Sequence, residues 1–94
     1  MEYKLSHEAK LDLARIYWYG VETFGERQAE HYYEALIQRF EVIAEMPYRY
    51  PPVDHIREGY RRSVCGEDSI YYRVNGEITE IMRILGRQDV GENL

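Results

Sequence analysis

Residues 59–76, GYRRSVCGEDSIYYRVNG, set Arg61 and Arg62 beside Tyr60, and Arg73 beside Tyr71 and Tyr72. Arginine offers a rigid fork of donors suited to phosphates and carboxylates. With tyrosine beside it, it is what a metal-free ribonuclease would use to hold a phosphodiester. Cleavage needs more: a base for the 2′-hydroxyl, an acid for the leaving 5′-oxygen, and cations over the phosphorane. Arg61, Arg62, Arg73, Arg83 and Arg87 can supply the cations. No histidine occurs in residues 56–94, and Glu58 and Glu67 follow no recognisable spacing. A tyrosine with its ordinary pKa of about 10 is a poor acid–base group at neutral pH. The same residues also suit a hairpin, with tyrosines stacked on β-branched neighbours and arginine paired with Glu77 or Glu80. Sheet stability is thus the first reading of this stretch, protein binding the second and RNA chemistry the third.

Other chemistries have less to build on. His7, His31 and His55 are each 24 residues apart, and no HxxxH or CxxC spacing occurs, so no metal site and no cofactor is expected. Cys65, the one cysteine, falls in a predicted strand without a nearby histidine and reads as a buried thiol rather than a nucleophile. There is neither a GxSxG nor a phosphate-cradling glycine loop.

The elements that must carry these residues follow from periodicity. Tyr3–Leu5 alternates and reads as a short strand, and Ser6 is a good N-cap for the helix that follows. Ala9, Leu13, Ile16, Gly20 and Phe24 form one helical face, and Gly25 marks its end. A second helix carries Ala29, Tyr33, Leu36, Phe40 and Ile43 on one face and Arg27, Glu34, Gln38, Glu41 and Glu45 on the other, until Pro47 stops it. The very short link makes the pair an antiparallel hairpin. Residues 47–59 hold all three prolines and read as a loop. Three strands are expected after it: Tyr60–Cys65, Ser69–Val74 and Glu77–Leu85. Asn75-Gly76 is read as a type I′ turn. The last strand, with Ile78, Met82 and Ile84 against Ile81 and Leu85, is apolar on both faces and is placed centrally. The expected class is α+β, one domain over residues 1–94: an N-terminal strand, an antiparallel helical hairpin, then a three-stranded antiparallel sheet.

The first helix carries a second apolar stripe, Leu11, Ala14, Trp18 and Val21. Either the sheet and the second helix each cover one stripe, the slightly preferred reading, or one stripe waits for a partner. In the second case Trp18 is a natural anchor.

Net charge is −5, against broad salt-driven binding of nucleic acid. The charge is uneven: residues 1–46 carry −4 and residues 47–94 carry −1, and all seven basic residues of the second half are arginines. A charged partner is therefore expected there. No apolar run approaches the roughly 20 residues that span a bilayer, and the N-terminus shows no secretory pattern. With a single cysteine, this makes a cytoplasmic location the expectation.

Taken in order, these pieces resemble the ParE branch of the RelE/ParE toxin superfamily. The residues that carry the likeness are Tyr3 and Leu5 before Ser6; Ala9, Asp12-Leu13 and Ile16; Phe24-Gly25; Ala29, Tyr32 or Tyr33, and Leu36; and Pro47. They continue with Ile56-Arg57-x-Gly59-Tyr60-Arg61, Ile70-Tyr71-Tyr72-Arg73-Val74 and Arg83-Ile84-Leu85-Gly86-Arg87-Gln88-Asp89. The resemblance implies a RelE/ParE-like fold and a toxin of a type II toxin–antitoxin module. It implies inhibition of DNA gyrase by binding, and neutralisation by a ParD-like antitoxin whose disordered tail folds on the toxin. A cytoplasmic hetero-oligomer with antitoxin follows, with no direct nucleic-acid or membrane contact by the toxin itself. The nuclease branch carries a histidine or tyrosine near the C-terminus, and LGRQDVGENL has neither, so no catalytic residue is assigned. The alternative is a RelE-like ribosome-dependent mRNA endoribonuclease using Arg61, Arg62 or Arg83 and a tyrosine; a third is a non-toxic binding domain. For antitoxin contact the expected residues are Leu11, Trp18 and Tyr19, with Arg57 and Arg61 receiving carboxylates. For target contact they are Arg83, Arg87, Gln88 and Asp89. A free edge strand is a further place for the antitoxin to pair.

Overall fold

The computed structural model describes residues 2–86 and 90–94. The chain runs β1 (Glu2–Leu5), α1 (His7–Phe24), α2 (Glu26–Glu45), β2 (Tyr60–Cys65), β3 (Asp68–Asn75), β4 (Ile78–Leu85) and α3 (Val90–Asn93). Ser6 caps α1, its Oγ accepting from the Ala9 N–H at 3.0 Å. Gly25, with φ 93°, both closes α1 and opens α2.

The sheet is four-stranded and mixed, in the order β1-β4-β3-β2, where the sequence suggests three antiparallel strands. The fourth is the expected N-terminal strand, β1, which joins the sheet parallel to β4 with Glu2 opposite Ile78 and Leu5 opposite Ile81. A four-residue strand pairing with a segment more than 70 residues away has no local signal, so periodicity could not place it. β4 lies between two neighbours, as its two apolar faces require.

Beyond Ile81 no strand among the described residues pairs with β4 on that side, and Ser6 and α1 supply the missing partners. Ser6 N–H donates to the Ile81 carbonyl at 2.9 Å and Ser6 Oγ–H to the Met82 carbonyl at 2.7 Å. The Ile84 N–H donates to Asp12 Oδ2 at 2.9 Å, and Arg15 Nη2 donates to the Ile84 carbonyl at 3.2 Å. Buried backbone polar groups must be paired, and here polar side chains of a helix close the edge of a sheet.

Two further local expectations are corrected. The β3–β4 turn is Gly76-Glu77, with Asn75 opposite Ile78 and only Gly76 at positive φ. Positive φ at the first central residue alone is the type II′ pattern, not type I′. The β2–β3 turn repeats it with Gly66-Glu67. The register of β3 on β4 also skips Met82, so Tyr71 faces Arg83 and Tyr72 faces Ile81. That bulge regroups β4: Ile81 and Ile84 share the helix-side core, and Met82 and Leu85 lie with the other.

The main core joins Ala9, Leu13 and Ile16 of α1 and Leu36, Phe40 and Ile43 of α2 to Cys65, Ile70, Tyr72, Ile81 and Ile84 of the sheet. Each such large apolar side chain contributes roughly 1.5–3 kcal/mol by leaving water. A smaller core on the opposite face joins Val53, Tyr60, Tyr71 and Leu85, with Ile56, Met82, Val90 and Leu94 against it. The loop before β2 and the C-terminal segment thus cover the face that the helices leave open. Burial on α1 stops at Ile16. Phe24 is 63% exposed and Tyr33 39% exposed, although periodicity places both on core faces.

Candidate functional site

The last two turns of α1 and the first two of α2 face the β2–β3 turn across an open cleft of about 850 Å³. Its walls are Ile16, Tyr19, Phe24 and Ala29, with Tyr32, Asp68, Arg15 and Gly86 among its lining. The helices are in close contact here, because a Cβ at Gly20 would stand 3.3 Å from Ala29 Cβ. The Tyr32 hydroxyl lies 2.7 Å from Asp68 Oδ2 and 2.8 Å from the Cys65 carbonyl oxygen. Burial, then Asp68, raises the pKa of the Tyr32 phenol above its ordinary value. Gly66 lets this ring approach, since a Cβ there would stand 2.5 Å from Tyr32 Cε1.

Next to the cleft, α1 turns apolar side chains to water. Leu11 is 52% exposed, Trp18 62% and Tyr19 63%. The stripe Leu11–Ala14–Trp18 is exposed and Val21 half-buried, which corrects the preferred reading that the fold itself covers both stripes. Tyr17 packs edge-on against both Trp18, at 5.2 Å between centroids, and Tyr33, at 6.0 Å, and so links the two helices.

Arg57 and Arg61 lie elsewhere, and no hydrogen bond, ion pair or ring contact joins them to Leu11, Trp18 or Tyr19. Neither meets a side-chain carboxylate among the described residues. Arg61 Nη1 donates to the Tyr50 carbonyl at 2.7 Å, and its guanidinium lies 5.1 Å from the centroid of the Tyr48 ring. Arg57 donates to the Leu94 carbonyl and sits 5.3 Å over the Tyr60 ring.

Arg83 is committed on three sides. Its Nε and Nη2 donate to Asp12 Oδ2 at 2.8 Å and Oδ1 at 3.0 Å, and Nη1 to the Asn93 carbonyl at 2.8 Å. Its hydrogen bonds to Asp12 raise its pKa further. Arg87, Gln88 and Asp89, grouped with it as target contacts in the sequence, lie outside the described residues.

The tyrosines named for RNA chemistry are interior. Tyr60, Tyr71 and Tyr72 are at most 5% exposed. Tyr72 donates to the Pro47 carbonyl at 2.6 Å, and burial pushes its phenol up to about 12, against the pull of Arg61. Arg73 pairs with Glu80 at 2.7 Å, one of the two partners that cross-strand pairing suggests. Burial raises the Cys65 thiol, as expected of a structural cysteine. The outer edge of β2 is covered: Val53 N–H donates to the Tyr60 carbonyl at 2.8 Å, Arg62 N–H to Pro51 at 3.1 Å, and Arg39 to Val64 at 2.7 Å. That edge does not offer the free strand considered above. No group of three or more histidine, cysteine, aspartate or glutamate side chains among the described residues could hold a metal ion. No helix among them is long and apolar enough to cross a membrane.

Sequence reasoning missed Asp12, Arg15, Tyr32, Arg39 and Asp68 as site-forming residues. The one available signal was Asp12, a charge on a face that is otherwise apolar (Ala9, Leu13, Ile16), which calls for a buried partner.

Comparison with known proteins agrees with this architecture. Residues 3–91 match the family model described as ParE toxin of type II toxin-antitoxin system, parDE. Toxin ParE1 of Caulobacter vibrioides is 41% identical over 83 residues, covering 88% of this chain and 85% of that protein. Toxin ParE1 of Mycobacterium tuberculosis is 36% identical over 94 residues, covering 98% and 96%. A solved chain of the chromosomal ParDE TA system from P. aeruginosa superposes with a TM-score of 0.81, over 92% of this chain and 95% of that one, at 22% identity.

Proposed function

The chain belongs to the ParE toxin family of type II toxin–antitoxin systems, and from this premise we propose that it inhibits DNA gyrase by binding and is neutralised by a ParD-like antitoxin. Both partners meet it in the cytoplasm. The observation that carries the binding reading is the uncovered α1 surface, Leu11, Trp18 and Tyr19, bordering an apolar cleft. Such a patch with a central aromatic is the kind of surface an amphipathic segment covers. Two of the arginines that RNA cleavage would recruit, Arg61 and Arg83, are engaged in internal hydrogen bonds, and Tyr60, Tyr71 and Tyr72 lie in the cores. This supports inhibition by binding over chemistry by the chain itself.

The test is a supercoiling and cleavage assay with purified protein and gyrase. Trapped cleaved DNA and lost supercoiling, both reversed by the antitoxin, are expected. Unchanged supercoiling with the protein in large excess overturns the gyrase target. Primer extension on messenger RNA after induction separates the alternative, because cuts inside codons at the ribosomal A site would point to a ribosome-dependent nuclease.

A further inference from the structure

Asp68 is a carboxylate 9% exposed in the lining of the apolar cleft. Among the described residues its one side-chain hydrogen bond is with the Tyr32 hydroxyl at Oδ2. That hydroxyl has a single proton for two acceptors, Asp68 and the Cys65 carbonyl. No lysine, arginine or histidine among the described residues pairs with Asp68. Arg15, the cation on the same cleft, is held by the Ile84 carbonyl at 3.2 Å and lies 3.7 Å from Asp12. Arg39 goes to Ser63 and Val64. The contrast with Asp12 is direct: it is 4% exposed, and it has a two-pronged arginine and a backbone N–H. A carboxylate withdrawn from water without a cation is costly, and a cation brought by a ligand relieves that cost.

We propose that this cleft takes an apolar segment of the antitoxin bearing a lysine or arginine whose charged head reaches Asp68. Its aliphatic stem lies against Ile16, Tyr19, Phe24 and Ala29, and the pair selects the cognate antitoxin. The inference rests on the reading above that an antitoxin neutralises this chain. Charge supports a basic segment: the half of the chain that forms the helices carries −4. Continuity supports a protein partner, because the cleft runs into the exposed Tyr19 and Phe24.

The experiment is calorimetric titration of the full chain with the protein encoded by the adjacent reading frame. Asp68→Asn keeps the side-chain shape and an acceptor for Tyr32 and removes the charge. The expected result is a Kd raised about thirtyfold or more and a shallower dependence of Kd on salt. In parallel, each lysine and arginine of the antitoxin tail is changed to glutamine, one at a time, and titrated against the native chain. One of these changes is expected to weaken binding by a similar factor, with little further effect on D68N. The antitoxin series is read on the native chain, so it decides even where D68N folds poorly. Binding of D68N within about threefold of native, or no sensitive basic residue in the tail, overturns this inference and leaves the antitoxin reading intact. No binding of the adjacent-frame protein to the native chain overturns that reading itself.

Discussion

Asp12 on α1 grips Arg83 on β4 through two parallel hydrogen bonds, Oδ2 to Nε at 2.8 Å and Oδ1 to Nη2 at 3.0 Å. Asp12 also takes the Ile84 N–H, and Arg83 also holds the Asn93 carbonyl. One ion pair thus joins helix, sheet edge and C-terminal segment. The skipped Met82 places Arg83 opposite Tyr71 on the face where that segment lies.

Asp12→Ala leaves the Ile84 N–H unpaired and a mostly buried guanidinium without its anion. We expect a loss of about 3 kcal/mol in urea denaturation, and a smaller loss for Asp12→Asn, which keeps an acceptor. Amide exchange in residues 90–94 should rise in both variants. A loss under about 1 kcal/mol for the alanine variant would mean that the pair behaves as a surface bridge.

Trp18 is the one tryptophan and stands 62% exposed. Trp18→Ala should leave stability within about 0.5 kcal/mol of native, yet weaken antitoxin binding by about 2 kcal/mol or more. In the native chain tryptophan emission should shift to the blue on antitoxin binding, as the indole leaves water. An unshifted spectrum with unchanged affinity of the variant would remove Trp18 from the interface.

Gly66 and Gly76 occupy equivalent turns at φ 61° and 64°. A Cβ at Gly76 meets nothing within 4 Å, whereas one at Gly66 collides with Tyr32. Alanine at either position carries the positive-φ cost of about 1–2 kcal/mol. Gly66→Ala should cost about 1 kcal/mol more, because the ring must move. Equal thermal shifts for the two variants would show that Tyr32 yields freely.

The hydrogen bond from Arg73, assisted by Lys4 at 3.6 Å, holds the Glu80 carboxyl below its usual range. A depressed folded-state pKa stabilises the protein above the unfolded value of about 4.3, and this stability is lost as pH falls through the lower, folded value. Glu80→Gln should therefore be less stable than native at pH 7, and the gap should close below about pH 4. Parallel stability curves down to pH 2 would mean that Glu80 gains nothing from its neighbours.

Much of the fold was readable because its signals are local. The 3-and-4 spacing of Ala9, Leu13 and Ile16, the Ser6 cap and the proline-rich loop each act within a few residues. Phe24 and Tyr33 misled the same reasoning: they keep the helical period, but no layer lies over the hairpin end where they sit. The site was less legible. Leu11, Trp18 and Tyr19 were named because apolar residues outside the core stripe are visible in a helical period, and the structure exposes all three. Arg57 and Arg61 were expected by residue type to receive the antitoxin's carboxylates; within the chain they hold carbonyls and lie over tyrosine rings.

By itself the sequence determined the order and kind of the elements and an apolar stripe on α1 beyond what a core needs, because periodicity and capping are properties of neighbouring residues. Tertiary structure alone decided which charges are satisfied. Asp12 and Asp68 are both acidic and both buried; one meets Arg83 and Ile84 from 71 and 72 residues away, and the other meets a shared phenol proton. The apolar face around Asp12 signals that it needs a partner, but nothing in the local sequence of either aspartate says which groups it meets. The difference arises from which distant elements the sheet brings beside each one.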